Sequence, residues 1–263
     1  MIHLKSEKEI ELIKNSSLLV GKTLAEVANY LKPGVKTKFL DGIAEDYIRA
    51  NDAIPGFKYY KGYSATLCIS VNDQVVHGIP GNNEVFDGDI VSIDCGVIKD
   101  GYYGDSAYTF ALGEVDPKVL QLLRITKESL YKGIEMAVVG NRVGDISFAI
   151  QKYVEKNGYT VVRELVGHGI GKSLHEDPQV PNFGSRGTGA KLSEGLVICI
   201  EPMINLGKKE IVQERDGWTI RTKDAKPSAH FEHQVVVRKN HCEVLSTFEY
   251  IEKNKNEYIQ VIY

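Results

Sequence analysis

The chain has few cysteines, no excess of basic residues and no long hydrophobic run, and each absence excludes a class of protein. The four cysteines show no Cys-x-x-Cys spacing, so we expect reduced core thiols, as in a cytosolic protein, and no disulfide framework. A formal net charge of −3 provides no general attraction to nucleic acid or to an anionic membrane. No apolar run approaches the roughly 20 residues of a membrane span, and the charged run at 5–9 is unlike a signal peptide.

The segments that are present follow helical and strand patterns in turn. Of the 263 residues, 43% are hydrophobic, which is ordinary for a globular protein with an ample core. Apolar residues at helical spacing, with a capping box at Ser6 and Glu9 and caps at Asp116 and Asp145, predict helices at 7–32, 38–50, 117–139 and 146–156. Apolar and β-branched runs predict strands at 66–71, 75–80, 90–99, 102–110, 160–165, 196–204, 218–222, 229–238, 242–245 and 248–251.

The order of these elements indicates an α+β protein. Two helices and several strands fall in each half, about 1–113 and 114–263, which predicts two similar halves with joined sheets. Nothing around 113–115 resembles a linker, so we expect a single domain over 1–263. The apolar tail 256–263 either packs back on the domain or pairs as an edge strand.

Two of the predicted strands carry acidic residues on a shared face. A two-residue turn at 100–101 would pair Asp94 with Ala107 and make Asp94 and Asp105 diagonal neighbours, about 7–8 Å apart at the backbone. A solvated sheet face would explain a single strand aspartate. Both strands, however, are rich in apolar residues and resemble central strands, where an unpaired buried charge is very costly. A bound divalent cation would resolve this conflict.

Three further residues in the second half are candidate ligands. Glu201 and Glu232 interrupt apolar strands, where a glutamate is rarely buried without a partner. His168 lies in a Gly-His-Gly-Ile-Gly run, although a lone histidine in such a turn is more often structural. Four carboxylates with one imidazole do not resemble a structural zinc site and suit a dinuclear centre of the Mn, Fe, Co or Zn class. The candidate metal ligands are Asp94, Asp105, His168, Glu201 and Glu232.

This ordered set resembles the five-ligand signature of the methionine aminopeptidases and their pita-bread-fold relatives. The match runs from the first helix to about Val237. It includes the strings Asn72–Pro80, Ile93–Gly96, Gly101–Asp105, Gly167–Gly171, His175–Pro178 and Glu201–Met203. The chain starts almost at the catalytic domain, and the short spacing from Glu201 to Glu232 leaves no room for the type II insertion, so it resembles the bacterial-style type I enzymes.

The resemblance implies a fold and an activity. The expected fold is a pita bread, with pseudo-two-fold halves and a joined antiparallel sheet backed by helices. The expected activity is hydrolytic removal of N-terminal methionine from peptides and nascent polypeptides with two divalent ions (Co, Mn, Fe or Zn), in a cytoplasmic monomer without a membrane. By the same resemblance Asp94 and Asp105 would hold one ion, with Asp105 and Glu232 bridging. His168 and Glu201 would complete the other shell, and Glu201 would also be the catalytic base.

The resemblance also implies the residues that contact substrate. His77 and His175 match the non-ligand histidines that contact the substrate amide and stabilise the tetrahedral intermediate. Aromatic rings and a thiol suit a flexible thioether side chain. The expected methionine pocket consists of Tyr60, Tyr63, Cys68, Trp218 and part of His77. The alternative for Tyr60 and Tyr63 is an ordinary packed loop, and the alternative for His77 alone is a structural histidine.

Two alternatives remain at this stage. An X-Pro peptidase of the prolidase or aminopeptidase P type is disfavoured by the pocket residues and by the missing N-terminal domain. A catalytically inactive pita-bread protein that binds protein or RNA would have lost ligands, and none is lost. Local lysines such as Lys253 and Lys255 fit either a transient ribosome contact or a solvated charge run.

Three positions depart from the family pattern. Leu174 stands where phenylalanine is frequent, which predicts a wider or less aromatic pocket rim. His230 lies two residues before Glu232, where it either touches the metal shell or hydrogen-bonds to a ligand. Gln234 occupies a position where threonine is common. None of these changes removes a ligand.

Overall fold

The computed structural model describes residues 2–260 and 262. Its helices are α1 (Glu7–Tyr30), α2 (Thr37–Ala50), α3 (Pro117–Ile134), α4 (Val143–Lys156) and α5 (Glu249–Glu252), with a 3-10 turn at Tyr60–Gly62. Within the described residues, no helix combines the length and the apolar character that crossing a membrane requires.

Within the part of the chain that the structure describes, sixteen strands, most of them short, make up the sheets. Those of the first half are β1 (Ile54–Pro55), β2 (Leu67–Val71), β3 (Gln74–Val76), β4 (Ile90–Lys99) and β5 (Tyr102–Leu112). Those of the second half are β6 (Thr160–Val161), β7 (Val166–Gly169), β8 (Glu176–Pro181), β9 (Val197–Ile200), β10 (Met203–Asn205), β11 (Ile211–Gln213), β12 (Ile220–Thr222), β13 (Ser228–His230), β14 (His233–Val237), β15 (Cys242–Val244) and β16 (Ile259–Gln260).

The helix starts follow the sequence signals with one exception. Ser6 and Glu9 form the predicted reciprocal capping box of α1, and Asp116 caps α3 by accepting from the backbone of Lys118. The predicted cap Asp145 is wrong: α4 begins at Val143, and Asp145 is its third residue, whose carboxylate accepts from the backbone N–H of Arg142. The Asp145 carboxylate therefore makes a capping hydrogen bond, but it does so from inside the helix and not from the residue before it.

Two further boundaries differ from the predictions. Helix α3 ends at Ile134 because the chain at Val138 turns away to bridge the backbone of Arg238. The strand predicted at 248–251 is wrong, since this segment enters the short helix α5. Phe248 and Ile251 are both buried, and a spacing of three places them on the same side of one helical turn.

The long hairpin of β4 and β5 is the centre of the first half. The edge of β4 pairs with β1 and β2 in succession, and the far edge of β5 pairs with β16. Within the described part of the tail, Ile259–Gln260 pair as an edge strand and Ile262 packs in the core, so both outcomes left open by the sequence occur. The second half has a five-stranded sheet in the order β15-β14-β9-β7-β8, with small sheets β13-β10-β6 and β11-β12-β3 beside it.

Helices cover these sheets and share a core that includes both halves. Helix α1 packs on β4 and β5, and α3 packs against α4. A single buried apolar cluster contains residues of both halves, among them Ile93 and Ile198. Within it the ring of Tyr108 lies 5.0 Å from the rings of Phe231 and Phe248 in edge-on geometry, which joins β5 to the second half.

Polar bonds fix the same junction. The hydroxyl of Thr109 donates to the His230 carbonyl at 2.7 Å, and the hydroxyl of Ser106 donates to the Glu232 carbonyl at 2.7 Å. The backbone N–H of Glu232 donates to the Ala107 carbonyl at 3.0 Å. Strand β5 is thereby held against the segment between β13 and β14, and the acidic residues of both halves meet there.

Candidate active site

The hairpin has the register expected from its turn. Asp94 pairs with Ala107 and Gly96 with Asp105, so Asp94 and Asp105 project from the same face. Both turn residues, at 100–101, have positive φ, which suits the twist of a tight hairpin. Burial raises the pKa of both carboxyl groups, and the smaller interaction between the two lowers the pKa of Asp94 and raises that of Asp105.

Glu201 and Glu232 both lie at breaks in strands that were predicted to be continuous. Strand β9 stops at Ile200 and β10 starts at Met203, because Pro202 has no N–H to donate to a ladder. On the other strand the break falls at 231–232, where the Glu232 N–H donates to Ala107 instead. The pairings on either side, His233 with Ile200 and His230 with Met203, have a common register, so Glu201 lies opposite Glu232.

His168 reaches the same point from β7, which glycines allow to approach its neighbours closely. A side chain at Gly167 would meet the Cys199 carbonyl at 2.3 Å, and one at Gly169 would meet the Asp177 carbonyl at 2.2 Å. The His168 Nδ1–H donates to the Gly169 carbonyl at 3.0 Å. The unprotonated Nε2 therefore faces the carboxylates, as a metal-ligating imidazole does.

Distances at this point define a compact group of potential ligands. His168 Nε2 lies 3.5 Å from Glu201 Oε1 and 3.8 Å from Asp105 Oδ2. Ligand atoms of Asp105, His168, Cys199 and Glu232 all lie within 4.8 Å of one another. Cys199 was predicted only as a core thiol. Its position two residues before Glu201, in a run that the sequence predicts to be one strand, indicates a shared face for the two side chains, a signal that was not used.

Burial raises the pKa of every carboxyl group in this cluster. For Asp94 burial raises the pKa to about 7. For Asp105, Glu201 and Glu232 burial and then the neighbouring carboxylates hold the pKa well above the ordinary range. Four carboxyl groups in one desolvated space cannot all be ionised without positive charge between them.

The histidines around the cluster are neutral near pH 7. Burial, and after it the neighbouring His175, lowers the pKa of His168 to about 3. Burial, and after it the charge of Lys61, lowers the pKa of His175 to about 4. Burial also lowers the pKa of His77, and it lowers that of His230 to about 3. None of these imidazoles supplies the missing positive charge.

Unpartnered oxygens show that the residues fit a cation. Across residues 2–260 and 262, Asp94 Oδ1, Asp105 Oδ1 and Glu232 Oε1 are buried without a hydrogen-bond partner. Buried acceptors are almost always paired in folded proteins. An oxygen-rich set with one imidazole Nε2 suits a hard to borderline divalent ion, so this cluster is a candidate metal site.

The cluster forms the floor of a cavity of about 340 Å³. Phe57, Lys61, Val76, Glu164, Leu165, Val166, Leu174 and Met203 contribute to its lining. The same cavity is lined by all the residues that the sequence selected, namely Tyr60, Tyr63, Cys68, His77, Asp94, Asp105, His168, His175, Glu201, Trp218 and Glu232.

Two histidines outside the proposed ligand set, His77 and His175, also line the cavity. The ring of His175 lies 4.3 Å from that of His168, and its Nδ1 is 2.8 Å from the Tyr60 hydroxyl. His77 has a positive φ of 60°, uncommon for a residue with a side chain. It is followed by Gly78, where a side chain would meet the Ile69 carbonyl at 2.2 Å. Close packing therefore holds the strained backbone that turns His77 into the cavity.

The apolar wall of the cavity consists of aromatic rings and a thiol. Tyr63 and Trp218 contact edge-on at 5.1 Å, and the Tyr63 hydroxyl donates to the carbonyls of Leu67 and Gly78. Cys68 pairs with Asp94 in the sheet and so projects to the same face. Burial raises the pKa of the Cys68 thiol well above its usual range, which keeps the wall uncharged.

The three positions that depart from the family pattern all lie beside the site. Leu174 is buried and lines the cavity, and His230 Nε2 lies 4.0 Å from Glu201 Oε2. Gln234 accepts from the Asp105 N–H at 3.0 Å and from the Ser17 hydroxyl at 2.7 Å, which ties the Asp105 strand to α1.

Comparisons with known proteins agree with this arrangement. The model of metallopeptidase family M24 matches residues 11–239. A methionine aminopeptidase of Clostridium perfringens is 51% identical over 246 residues, covering 94% of this chain and 99% of that protein. The crystal structure of methionine aminopeptidase from Rickettsia prowazekii superposes with a TM-score of 0.93 at 40% identity, over 94% of this chain and 100% of that one.

The likeness extends in fold to a more distant structure. X-Pro aminopeptidase from Thermotoga maritima superposes with a TM-score of 0.74 at 21% identity, over 93% of this chain and 62% of that one. The pita-bread architecture expected from the sequence is confirmed, with helices on a curved antiparallel sheet of two joined halves. Given the extent of the family match and the relatives above, the chain belongs to metallopeptidase family M24.

Proposed function

We propose that this chain is a methionine aminopeptidase, which hydrolyses the peptide bond after an N-terminal methionine in peptides and nascent polypeptides. One observation carries the proposal: a buried cluster of carboxylates and one imidazole forms the floor of a cavity whose wall is aromatic rings and a thiol. The floor has the residues for metal-assisted hydrolysis, and the wall has the shape and chemistry for a thioether side chain.

The residues that would hold metal are those selected from the sequence. Two divalent ions of the Mn, Fe, Co or Zn class would be held by Asp94, Asp105, His168, Glu201 and Glu232. Such ions, when bound, lower the pKa of a water molecule and polarise a carbonyl oxygen. The unpartnered oxygens of three of these carboxylates support this assignment.

Glu201 is the proposed general base. Its carboxylate faces His168 at 3.5 Å and lines the cavity, so it can take a proton from the attacking water and return it to the leaving amine. Burial and the neighbouring Asp105 raise its pKa well above the ordinary range, so bound cations would be needed to keep its carboxylate ionised as a base.

His175 and His77 are the proposed hydrogen-bond donors to the substrate. Both are neutral near pH 7, because burial lowers the pKa of each. If Tyr60 donates to His175 Nδ1 at 2.8 Å, then His175 Nε2 bears the proton and can donate to the oxyanion that forms during attack. His77 lines the same cavity with its ring 6.4 Å from that of Trp218, and its proposed partner is the substrate amide.

The remaining features support one cytoplasmic catalytic domain over 1–263. The apolar core and the hydrogen bonds of β5 both cross between the halves, and a site split across the halves requires both. The four cysteines are free thiols, as a reducing compartment would keep them. We expect a monomer. Lys253 forms an ion pair with Glu249, which favours a solvated helix end over a ribosome contact at this point.

A matched pair of isosteric substitutions tests the proposal. Glu201→Gln removes the proposed base, so we expect kcat for a Met-Ala-Ser peptide to fall at least about a hundredfold with the fold intact. Glu164→Gln makes the same change in the same cavity but away from the ligand cluster, and its kcat should be near that of the wild type. Equal activity of the two variants would contradict the assignment of Glu201.

A further inference from the structure

One buried thiol lies among the candidate ligands without a role in the proposed reaction. Cys199 is in β9, which ends one residue before Glu201. It is fully buried, and its Sγ belongs to the group of ligand atoms that all lie within 4.8 Å of one another. The other members are Asp105, His168 and Glu232.

A second observation points to a ligand at this place. Asp105 and Glu232 are only 4% and 2% exposed, and each has a buried oxygen that no group in residues 2–260 and 262 satisfies. The Cys199 sulfur lies within 4.8 Å of a Glu232 carboxylate oxygen, close to the group that would bind the ion. Sulfur, imidazole nitrogen and two carboxylates make a mixed donor set of tetrahedral number.

We propose that Cys199 is an additional metal ligand of this site, and that it gives the site a preference for thiophilic divalent cations such as Zn²⁺, Co²⁺ and Cd²⁺ over Mn²⁺. The inference rests on the proposed metal centre and deepens it. A site whose ligands are carboxylate oxygens and one imidazole binds Mn²⁺ and Fe²⁺ readily, whereas a thiolate ligand raises the affinity for softer ions.

The binding step is balanced by release of one proton. A metal–sulfur bond forms, the S–H bond of Cys199 breaks, and the proton leaves to the buffer, as is usual when thiols ligate metals. Hard ions such as Mn²⁺ bind through the oxygens and His168, with the thiol left protonated.

The chain offers a matched control in Cys68. This cysteine is also a buried thiol near the site, since it pairs with Asp94 and lines the cavity. Among the described residues it does not belong to the compact ligand group. Removal of Cys68 therefore tests whether any thiol of the cavity, or Cys199 alone, binds the cation.

The experiment loads wild type, Cys199→Ser and Cys68→Ser with Zn²⁺ or Cd²⁺ and counts the bound ions by calorimetry. Zinc X-ray absorption reports a sulfur neighbour at about 2.3 Å, and ultraviolet absorption reports sulfur-to-cadmium charge transfer. We expect both signals in the wild type and in Cys68→Ser and neither in Cys199→Ser. Affinity of Cys199→Ser for Cd²⁺ should fall at least about tenfold, with Mn²⁺ affinity within about threefold of the wild type.

Three other results would overturn either the role of Cys199 or the metal centre itself. Stoichiometric zinc without a sulfur neighbour in the wild type overturns the proposal and leaves the metal centre standing, and this result needs no variant to fold. A sulfur signal that disappears only in Cys68→Ser also overturns it. If the wild type binds no divalent ion at all, the proposed metal centre itself fails.

Discussion

Substitution of Lys5 tests whether the segment before α1 stabilises the loop that contains His175. Its side chain is 2% exposed and its Nζ lies 2.5 Å from Glu176 Oε2, the residue directly after His175. The second oxygen of Glu176 accepts from the Ser173 N–H at 3.2 Å, and the Lys5 N–H donates to the Gly195 carbonyl at 2.7 Å. Lys5→Met removes the cation and leaves Glu176 without its partner.

The expected cost follows from burial. Removing one partner of a buried ion pair destabilises by about 3–5 kcal/mol, because the other charge remains uncompensated. Glu176 is 19% exposed and keeps some contact with water, so we expect a loss at the lower end, about 3 kcal/mol. For a chain of this size that corresponds to a fall in Tm of roughly 6–12 °C. Because the loop of His175 loosens, kcat should fall as well.

Urea unfolding and kcat are measured for Lys5→Met and for the control Lys14→Met. Lys14 pairs with Glu243 at 3.1 Å, but its side chain is 37% exposed, so the same change there should cost about 0–1 kcal/mol. Adding Glu176→Leu to Lys5→Met should restore most of the stability, since no unpaired charge is then buried. If Lys5→Met is as stable and as active as Lys14→Met, the reasoning about this pair is refuted.

Three further predictions concern the site and its glycines. Relative to the Mn²⁺-loaded protein, chelator-treated protein should lose free energy of unfolding as pH rises from 5 to 8, because buried carboxyls with raised folded-state pKa values, Asp94 at about 7 among them, stabilise only while protonated. The buried histidines have lowered pKa values that act in the opposite direction, but they are common to both forms. Urea unfolding with and without Mn²⁺ checks this, and an equal pH dependence of the two forms would contradict it. Gly167→Ala should destabilise the protein by about 1–3 kcal/mol, since a Cβ would meet the Cys199 carbonyl at 2.3 Å. Gly42→Ala in α2, where the space around the glycine is open, should stabilise the protein by about 0.5–1 kcal/mol. Equal unfolding midpoints of the two variants would contradict this prediction. His175→Ala should keep its bound metal in elemental analysis and lose kcat, and a loss of metal would make His175 a ligand.

Local signals in the sequence were sufficient for the hairpin. An Asp-Gly turn fixes register through backbone geometry alone, so the relation of Asp94 to Asp105 followed without any long-range information. The capping box of α1, and the start of α3 at Pro117 with Asp116 as its N-cap, were also predicted from local sequence alone. The strand predicted at 248–251 was wrong because a short apolar run has no periodicity long enough to separate strand from helix.

Long-range relations in the site needed the structure. The sequence placed Glu201 and Glu232 within strands, but the break at each glutamate depends on Pro202 and on the bond from Glu232 to Ala107 in the other half. No pattern along the chain states that a strand of one half satisfies the backbone of the other. For the same reason Cys199 was assigned to the core, because its nearness to His168 arises only when β7 and β9 pair.

Peptide hydrolysis tests the central claim most directly. Peptides that differ only in the first residue, Met-Ala-Ser against Leu-Ala-Ser and Pro-Ala-Ser, together with an X-Pro peptide, are offered to chelator-stripped protein and then to protein supplied with Mn²⁺, Co²⁺, Fe²⁺ or Zn²⁺. The account predicts no cleavage without metal and restored cleavage of the methionine peptide alone. Preferred cleavage of the X-Pro peptide, or no cleavage with any of the metals, would contradict it.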